Sequence, residues 1–359
     1  MRAGILDRYL LREAGGAWLA VTLVLLAIML STRFARFLGE AASGILPRDL
    51  LFEVVALSSL QYLAILIPAS LLLAVMLALG RLYKDNEVAA MSGCGVSMAQ
   101  LYRPFLVLGV LLALFAAALT LFIGPWAGRT AEYISKDAAR FVQYNPFEAG
   151  HFKDVAGGRA TVYTAEMDAK GQHLGSVFAR IHEKGGDTIV VAKGGTQTVN
   201  SATGERVVTL TDGYRYRGEA GQAQFDIMRF AKFSTRIQPP DFVFTTDKRR
   251  LYQTSELWNS PDPQDQAEMQ WRLAAPISVL VLVLLAVPLS HIGPRQGRYG
   301  KLVIGILIYL VYTQLIAMGQ AWIAKGHLSP LIGLWWVHLL MLGVALALIV
   351  RRSGLGRRA

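Results

Sequence analysis

Leu101–Ile123 reads LYRPFLVLGVLLALFAAALTLFI, and at Gly124-Pro125-Trp126 that apolar run stops. From Gly124 to Trp271 the sequence is polar and alternating, and after Trp271 it returns to long apolar segments. A bilayer core of ~30 Å takes about 20 helical residues to cross, so Leu101–Ile123 reads as one span and the polar stretch after it as a folded insertion. Working outward, Gly15–Leu38, Leu50–Leu79, Leu273–His291, Leu302–Ala324 and Leu331–Val350 also qualify. The predicted fold class is therefore membrane α-helical, six transmembrane helices with an inserted all-β domain. Pro68, Pro276 and Pro288 are tolerable inside such helices where neighbours satisfy the freed carbonyls.

Composition agrees. The 359 residues are 53% hydrophobic and 17% charged, with a mean hydropathy of +0.39, too apolar for an ordinary soluble domain. The first apolar segment is followed by Ser31-Thr32-Arg33 and no Ala-x-Ala-like cleavage site, so it reads as a retained helix. Cys94 is the one cysteine, which rules out an internal disulfide and leaves the insertion to hold together by packing.

Charge sets the orientation. Arg2, Arg8, Arg12, Arg81, Lys84, Arg103, Arg295, Arg298, Lys301, Arg351, Arg352, Arg357 and Arg358 fall beside the helices on one side; Arg33, Arg36, Arg48 and Lys325 fall on the other. The positive-inside bias places both termini in the cytoplasm and the β insertion outside, in a periplasm where the cell has two membranes. Much of the net charge of +11 is thus a topology signal and no nucleic-acid footprint.

Within the insertion, Arg159–Met167, Gly175–His182, Asp187–Ala192, Arg206–Thr211, Tyr214–Arg217 and Gln224–Phe233 are β-rich. Glycine-containing turn signals separate them, among them Gly194-Gly195, Thr203-Gly204 and Asp212-Gly213. This spacing suits a sandwich, jellyroll or open barrel, whose apolar faces are either core or a seat for an acyl chain. Phe225 and Phe230 sit in the last strand, whose alternation is not one-sided. The parts are 1–125, three transmembrane helices with a short surface helix near 81–98; 126–266, the β domain; and 267–359, three further helices and a basic tail.

Catalytic signatures are missing. The six histidines show no metal-ligand spacing, no Ser/His/Asp arrangement suggests a hydrolase, and no Gly-x-x-x-x-Gly-Lys-Ser/Thr phosphate cradle is present. The chain reads as a subunit without an engine and without a cofactor. A secondary transporter would display acidic residues or broken helices at mid-membrane. Here Glu53 lies near a span end, and Gln61 and Gln314 are neutral.

The order of three helices, a β module and three helices carries a set of motifs. These are Leu6-Asp7-Arg8-Tyr9-Leu10-Leu11-Arg12-Glu13, Gly80-Arg81-Leu82-Tyr83 through Glu87, Cys94-Gly95, Leu257-Trp258-Asn259, Glu268-Met269-Gln270-Trp271-Arg272, and Pro288-Leu289-Ser290 followed by Pro294-Arg295-Gln296-Gly297-Arg298. Together they resemble the LptF/LptG permease family of the lipopolysaccharide exporter, over nearly the whole chain. The Pro-Arg-Gln-Gly-Arg loop and the N-terminal motif favour the LptF branch; Gly293 stands where the family commonly has Asn. Other lipid or lipoprotein ABC exporters are the neighbouring alternative, usually with four helices.

The resemblance implies a periplasmic jellyroll in an inner-membrane permease. It implies a paralogous LptG, a dimeric ATPase LptB that binds ATP and Mg, a membrane-anchored jellyroll protein LptC and a periplasmic bridge protein LptA. Lipopolysaccharide would leave the outer leaflet through a cavity between two permeases. By resemblance, Glu87 matches the acidic residue of the coupling helix, with Arg81, Tyr83 and Asp85 beside it. Residues alone leave that segment open between an interfacial helix and a partner contact. Arg33 and Arg36, one turn apart where the bias rule does not ask for them, either bind lipid phosphates or snorkel to headgroups. Leu26, Leu30, Phe37, Ile65 and Ile316 are candidates for the cavity wall.

Overall fold

In a computed structural model the described residues are 4–42, 50–143, 147–155, 158, 160–168, 171–183, 186–199, 206–218, 225–237, 243–291 and 298–353. They form two compact units. One is helical (Met1–Gly39, Arg48–Ile134 and Thr245–Ala359), the other mainly β (Glu40–Pro47 and Ser135–Phe244).

The helical unit opens with α1 (Ile5–Ala42), α2 (Leu51–Lys84) and the short α3 (Glu87–Gly93). Next comes α4 (Met98–Ala118), which runs through a π-helical turn (Leu119–Ile123) into α5 (Gly124–Gln143). Ser97 starts α4 with a capping box shared with Gln100. After the β unit a 3₁₀ turn (Arg249–Leu251) and α6 (Thr254–Trp258) lead to α7 (Pro263–Leu289), α8 (Arg298–Ala324) and α9 (Trp335–Ser353). Asp262 caps α7, and Pro263 at its first position removes an N–H that has no helical partner.

α7 is the hub. It packs on α2, α4, α8 and α9, and its Val279, Leu282, Val283, Leu285, Ala286 and Val287 are fully buried. A helix apolar all round belongs in an interior, and α7 and α2 occupy it. By contrast α1, α4 and α8 present rows of exposed Leu, Val, Ile and Phe, as lipid-facing helices do.

Among the described residues five helices are long and apolar enough to cross a membrane: α1, α2, the continuous Met98–Asp137 helix, α7 and α8. The sixth expected span is shorter, Trp335–Arg351. Its anticipated first turn is a loop held by Gln270 of α7. Gln270 donates Nε2 to the Pro330 carbonyl (2.6 Å) and accepts from the Leu334 amide (2.8 Å).

The β unit has β1 (Phe152–Val155), β2 (Ala160–Thr164), β3 (His173–Leu174), β4 (Val177–Glu183), β5 (Gly186–Val199), β6 (Arg206–Gly218) and β7 (Phe225–Ile237). They form one antiparallel sheet in the order β1-β2-β4-β5-β6-β7. β3 pairs with Gly195 and Thr196 of β5, further along the same strand that β4 pairs with. The pairs Gly194-Gly195 and Asp212-Gly213, expected as turns, lie inside the long strands β5 and β6. Buried positions run 190, 192 and then 195, 197 in β5, and 208, 210 and then 213 in β6, so the inward face changes parity there. Asp212 has φ 50°, and a Cβ on Gly213 would lie 2.4 Å from the Phe230 ring and the Val191 carbonyl oxygen. These strands bend rather than end, which lets one sheet fold around a core of Phe147, Val162, Leu174, Val177, Val190, Val208, Leu210 and Phe230.

Candidate functional site

The sequence candidates fall into three groups. In the first, Arg81 near the end of α2 and Glu87 at the start of α3 come together across a two-residue turn in which Asn86 adopts φ 58°. Two residues of α1 complete the cluster. The Tyr9 hydroxyl donates to Glu87 Oε2 (2.7 Å), and Arg81 Nη2 donates to the Tyr9 oxygen (3.0 Å) and pairs with Glu13 Oε2 (3.2 Å). Arg81 Nη2 also lies 3.9 Å from Glu87 Oε1. Asp85 is exposed and closes α2, its amide donating to the Arg81 carbonyl. Tyr83 turns the other way, edge-on to His291 at 5.0 Å and against the helical core. Tyr9 and Glu13 are not among the site residues expected from sequence; their i, i+4 spacing on an otherwise lipid-facing helix is the signal that could have found them.

The second group holds the residues expected to meet lipid. α2, α7 and α8 line an open cleft, about 560 Å³ with the solvent space at its mouth included, with Ile65, Pro68, Trp271, Ala275 and Ile316 among its lining. Two wall candidates, Ile65 and Ile316, therefore face one space. Four of the five lining residues that carry a hydroxyl, all but Tyr309, have bonds within the helices: Thr120 donates to the Ala116 carbonyl (3.0 Å), Ser278 to Ala275 (2.7 Å) and Thr313 to Tyr309 (3.1 Å). The Tyr312 hydroxyl pairs with His338 Nδ1 at 2.6 Å. A lining mostly of carbon, in which four of the hydroxyls are already bonded, suits a hydrocarbon occupant. Near the other end of α1, the Arg33 guanidinium lies over the Tyr62 ring of α2 at 5.0 Å, while Arg36 is exposed and Phe37 half-buried. That stacking fixes Arg33 without consuming its hydrogen-bond donors.

The third group lies on β7. Phe225 is 55% exposed and Ile227 59%, whereas Phe230 is buried in the core, 5.4 Å from the Phe233 ring. The mixed alternation in the sequence is thus two settings along one strand. Elsewhere in this unit Asp187 is held below the usual carboxylate range, first by the hydrogen bond from His182 (2.6 Å) and then by Arg180. No group of three His, Cys, Asp or Glu that could hold a metal ion occurs among the described residues.

Residues 8–351 match the family profile described as lipopolysaccharide export system permease LptF/LptG. The chain belongs to the LptF/LptG family. The lipopolysaccharide export system permease protein LptF of Escherichia coli K12 is 30% identical over 347 residues, covering 96% of this chain and 94% of that protein. LptF proteins of Escherichia coli O157:H7 and Shigella flexneri match to the same extent. LptF/LptG membership accounts for the multi-pass helices interrupted by a β unit, and makes the chain a transporter component of lipopolysaccharide export. Of the LptF/LptG-like motifs, 294–297 lies outside the described residues, and Arg298 opens α8.

Proposed function

We propose that this chain is the membrane-spanning permease subunit of an ATP-driven exporter that takes lipopolysaccharide from the outer leaflet of the inner membrane and releases it toward a periplasmic bridge. The observation that carries the reading is the hydrocarbon-lined cleft between α2, α7 and α8, walled by Ile65 and Ile316, in a family of lipopolysaccharide export permeases. A separate dimeric ATPase, LptB, binds ATP and Mg and docks at α3, where the Glu87–Tyr9–Arg81 cluster ties the docking helix to α1 and α2. A paralogous LptG completes the cavity. LptC and LptA receive the lipid from the β unit, whose exposed Phe225 and Ile227 offer it an apolar strand. Both termini face the cytoplasm and the β unit the periplasm, a reading that the positive-inside bias of the arginines supports.

The lipid's phosphates meet Arg33 and Arg36, and its acyl chains the cleft. The test is copurification with an ATPase and a second permease, followed by photo-crosslinking of labelled lipopolysaccharide from positions 33, 225 and 316 with and without ATP. Crosslinks at all three that redistribute on ATP addition support the reading. A solitary protein, or crosslinks indifferent to ATP, would sink it.

A further inference from the structure

Arg272, near the start of the hub helix α7, is 2% exposed. Its Nε donates to Glu268 (3.1 Å), its Nη1 to the Thr254 hydroxyl (2.9 Å), and its Nη2 to the carbonyls of Tyr252 (2.9 Å), Arg249 and Arg250 (both 3.3 Å). One guanidinium thus gathers the whole turn by which the chain returns from the β unit. Thr254 passes the connection on, since its hydroxyl donates to the Leu121 carbonyl in the π-helical turn. A π turn displaces carbonyls from the regular α-helical pattern, leaving them open to outside donors. Gln61 of α2 adds a second tie, donating to the Gly124 carbonyl (3.0 Å); a Cβ on Gly128 would meet that amide at 1.6 Å. Lys248 and Arg129 close the stem further along, pairing with Glu132 (2.6 Å) and Glu256 (3.6 Å).

The cleft adjoins this network at two points. Thr120 and Trp271 line it, and the next residues, Leu121 and Arg272, are the latch. We propose that Arg272 is a positioning residue for export. From α7 it holds the outgoing α4–α5 helix and the returning 249–254 segment as one stem, so that a change in the width of the cleft moves both connections to the β unit together. Arginine suits the task because only a planar, permanently charged fork with five donors can bind a carboxylate, a hydroxyl and three carbonyls at once. The role rests on the export reading.

The test uses the full chain in its ATPase complex in proteoliposomes, with Thr254→Val, which keeps the volume and removes the relay, and Thr254→Ser, which keeps the hydroxyl. Arg272→Lys is the companion, reaching fewer partners. With Thr254→Val and Arg272→Lys we expect amides of 249–254 to exchange about tenfold faster. Lipopolysaccharide transferred per ATP should fall about fivefold, with basal ATP hydrolysis and yield unchanged and Thr254→Ser close to wild type. Unaltered exchange would overturn the latch, and faster exchange with undiminished transfer would reduce it to a structural brace. Because Thr254 lies outside the hub helix, a misfolded Arg272→Lys leaves the first variant decisive. A wild-type complex that moves no lipid overturns the export reading and the proposal with it, and is recognised before any substitution is compared.

Discussion

The Tyr9 hydroxyl reaches across 78 residues of sequence to Glu87 at 2.7 Å, joining α1 to the start of α3. Arg81, bonded to the same hydroxyl and to Glu13, makes the junction three-helical. Because α1 is unbroken from Ile5 to Ala42, Tyr9, which holds the residue expected to meet the ATPase, and the arginines expected to meet lipid share one helix. A push on α3 is therefore delivered to the helix that carries Arg33.

Replacing Glu87 with Ala should leave the protein in the membrane and uncouple ATP hydrolysis from export. Tyr9→Phe removes two hydrogen bonds, to Glu87 and from Arg81, of about 1 kcal/mol each, and keeps the carboxylate, so it should lower coupling less than Glu87→Ala. Transport per ATP in reconstituted complexes measures both; equal effects of the two would contradict a direct role for the carboxylate.

Arg33→Glu should reduce lipopolysaccharide crosslinking and lipid-stimulated ATP hydrolysis, and the double reversal with Arg36→Glu should do so further. The Tyr62 ring loses its cation in both. Unchanged crosslinking in the double variant would assign the pair to headgroup anchoring.

Ala275→Phe fills the cleft from α7 and leaves its hydroxyl-bearing residues in place. Lipid crosslinking from position 316 should fall severalfold while complex assembly, measured by copurification, persists. Loss of assembly alone would show that the space is packing volume.

Asp187 is expected to make the β unit acid-sensitive. Its pKa is lowered by His182 and Arg180, so between its folded value and the unfolded value of ~3.9 the native state binds fewer protons than the unfolded one. The contribution is full above that window and fades as pH falls through it. The difference in melting temperature between wild type and Asp187→Asn should not shrink from pH 8 to about pH 5, where protonation of a histidine partner can only strengthen the pair, and should shrink below about pH 4. A difference that already shrinks on going from pH 8 to pH 6 would place the effect elsewhere.

Gly213→Ala puts a methyl group 2.4 Å from the Phe230 ring and the Val191 oxygen. Overpacking of this kind costs about 1–3 kcal/mol, and limited proteolysis should then cut within 135–244 at lower temperature. An unchanged cleavage profile would mean that the bend in β6 relaxes freely.

The helices were legible because a span satisfies its own backbone and must be apolar over its whole length. Their partners were not, since Tyr9 and Glu87 meet only after two membrane crossings. In the β unit glycine pairs marked real changes of direction, yet hydrophobic alternation cannot separate a turn from a bend inside a strand. Phe225 and Phe230 illustrate the same limit: their spacing in β7 is plain, and only the neighbouring core decides that one is exposed and the other enclosed. Arg272 belongs to a legible motif, but a lone arginine at a span edge has no spacing that reveals five partners.

The π turn at Leu119–Ile123 works as a phase shifter. A helix advances ~100° per residue, so one extra residue in a turn re-aims every side chain beyond it while the axis continues. Arg129 and Glu132, which meet Glu256 and Lys248, owe their bearing to that offset. Deleting a single residue from 119–123 would leave the helix intact by circular dichroism and turn its far half to face a different neighbour.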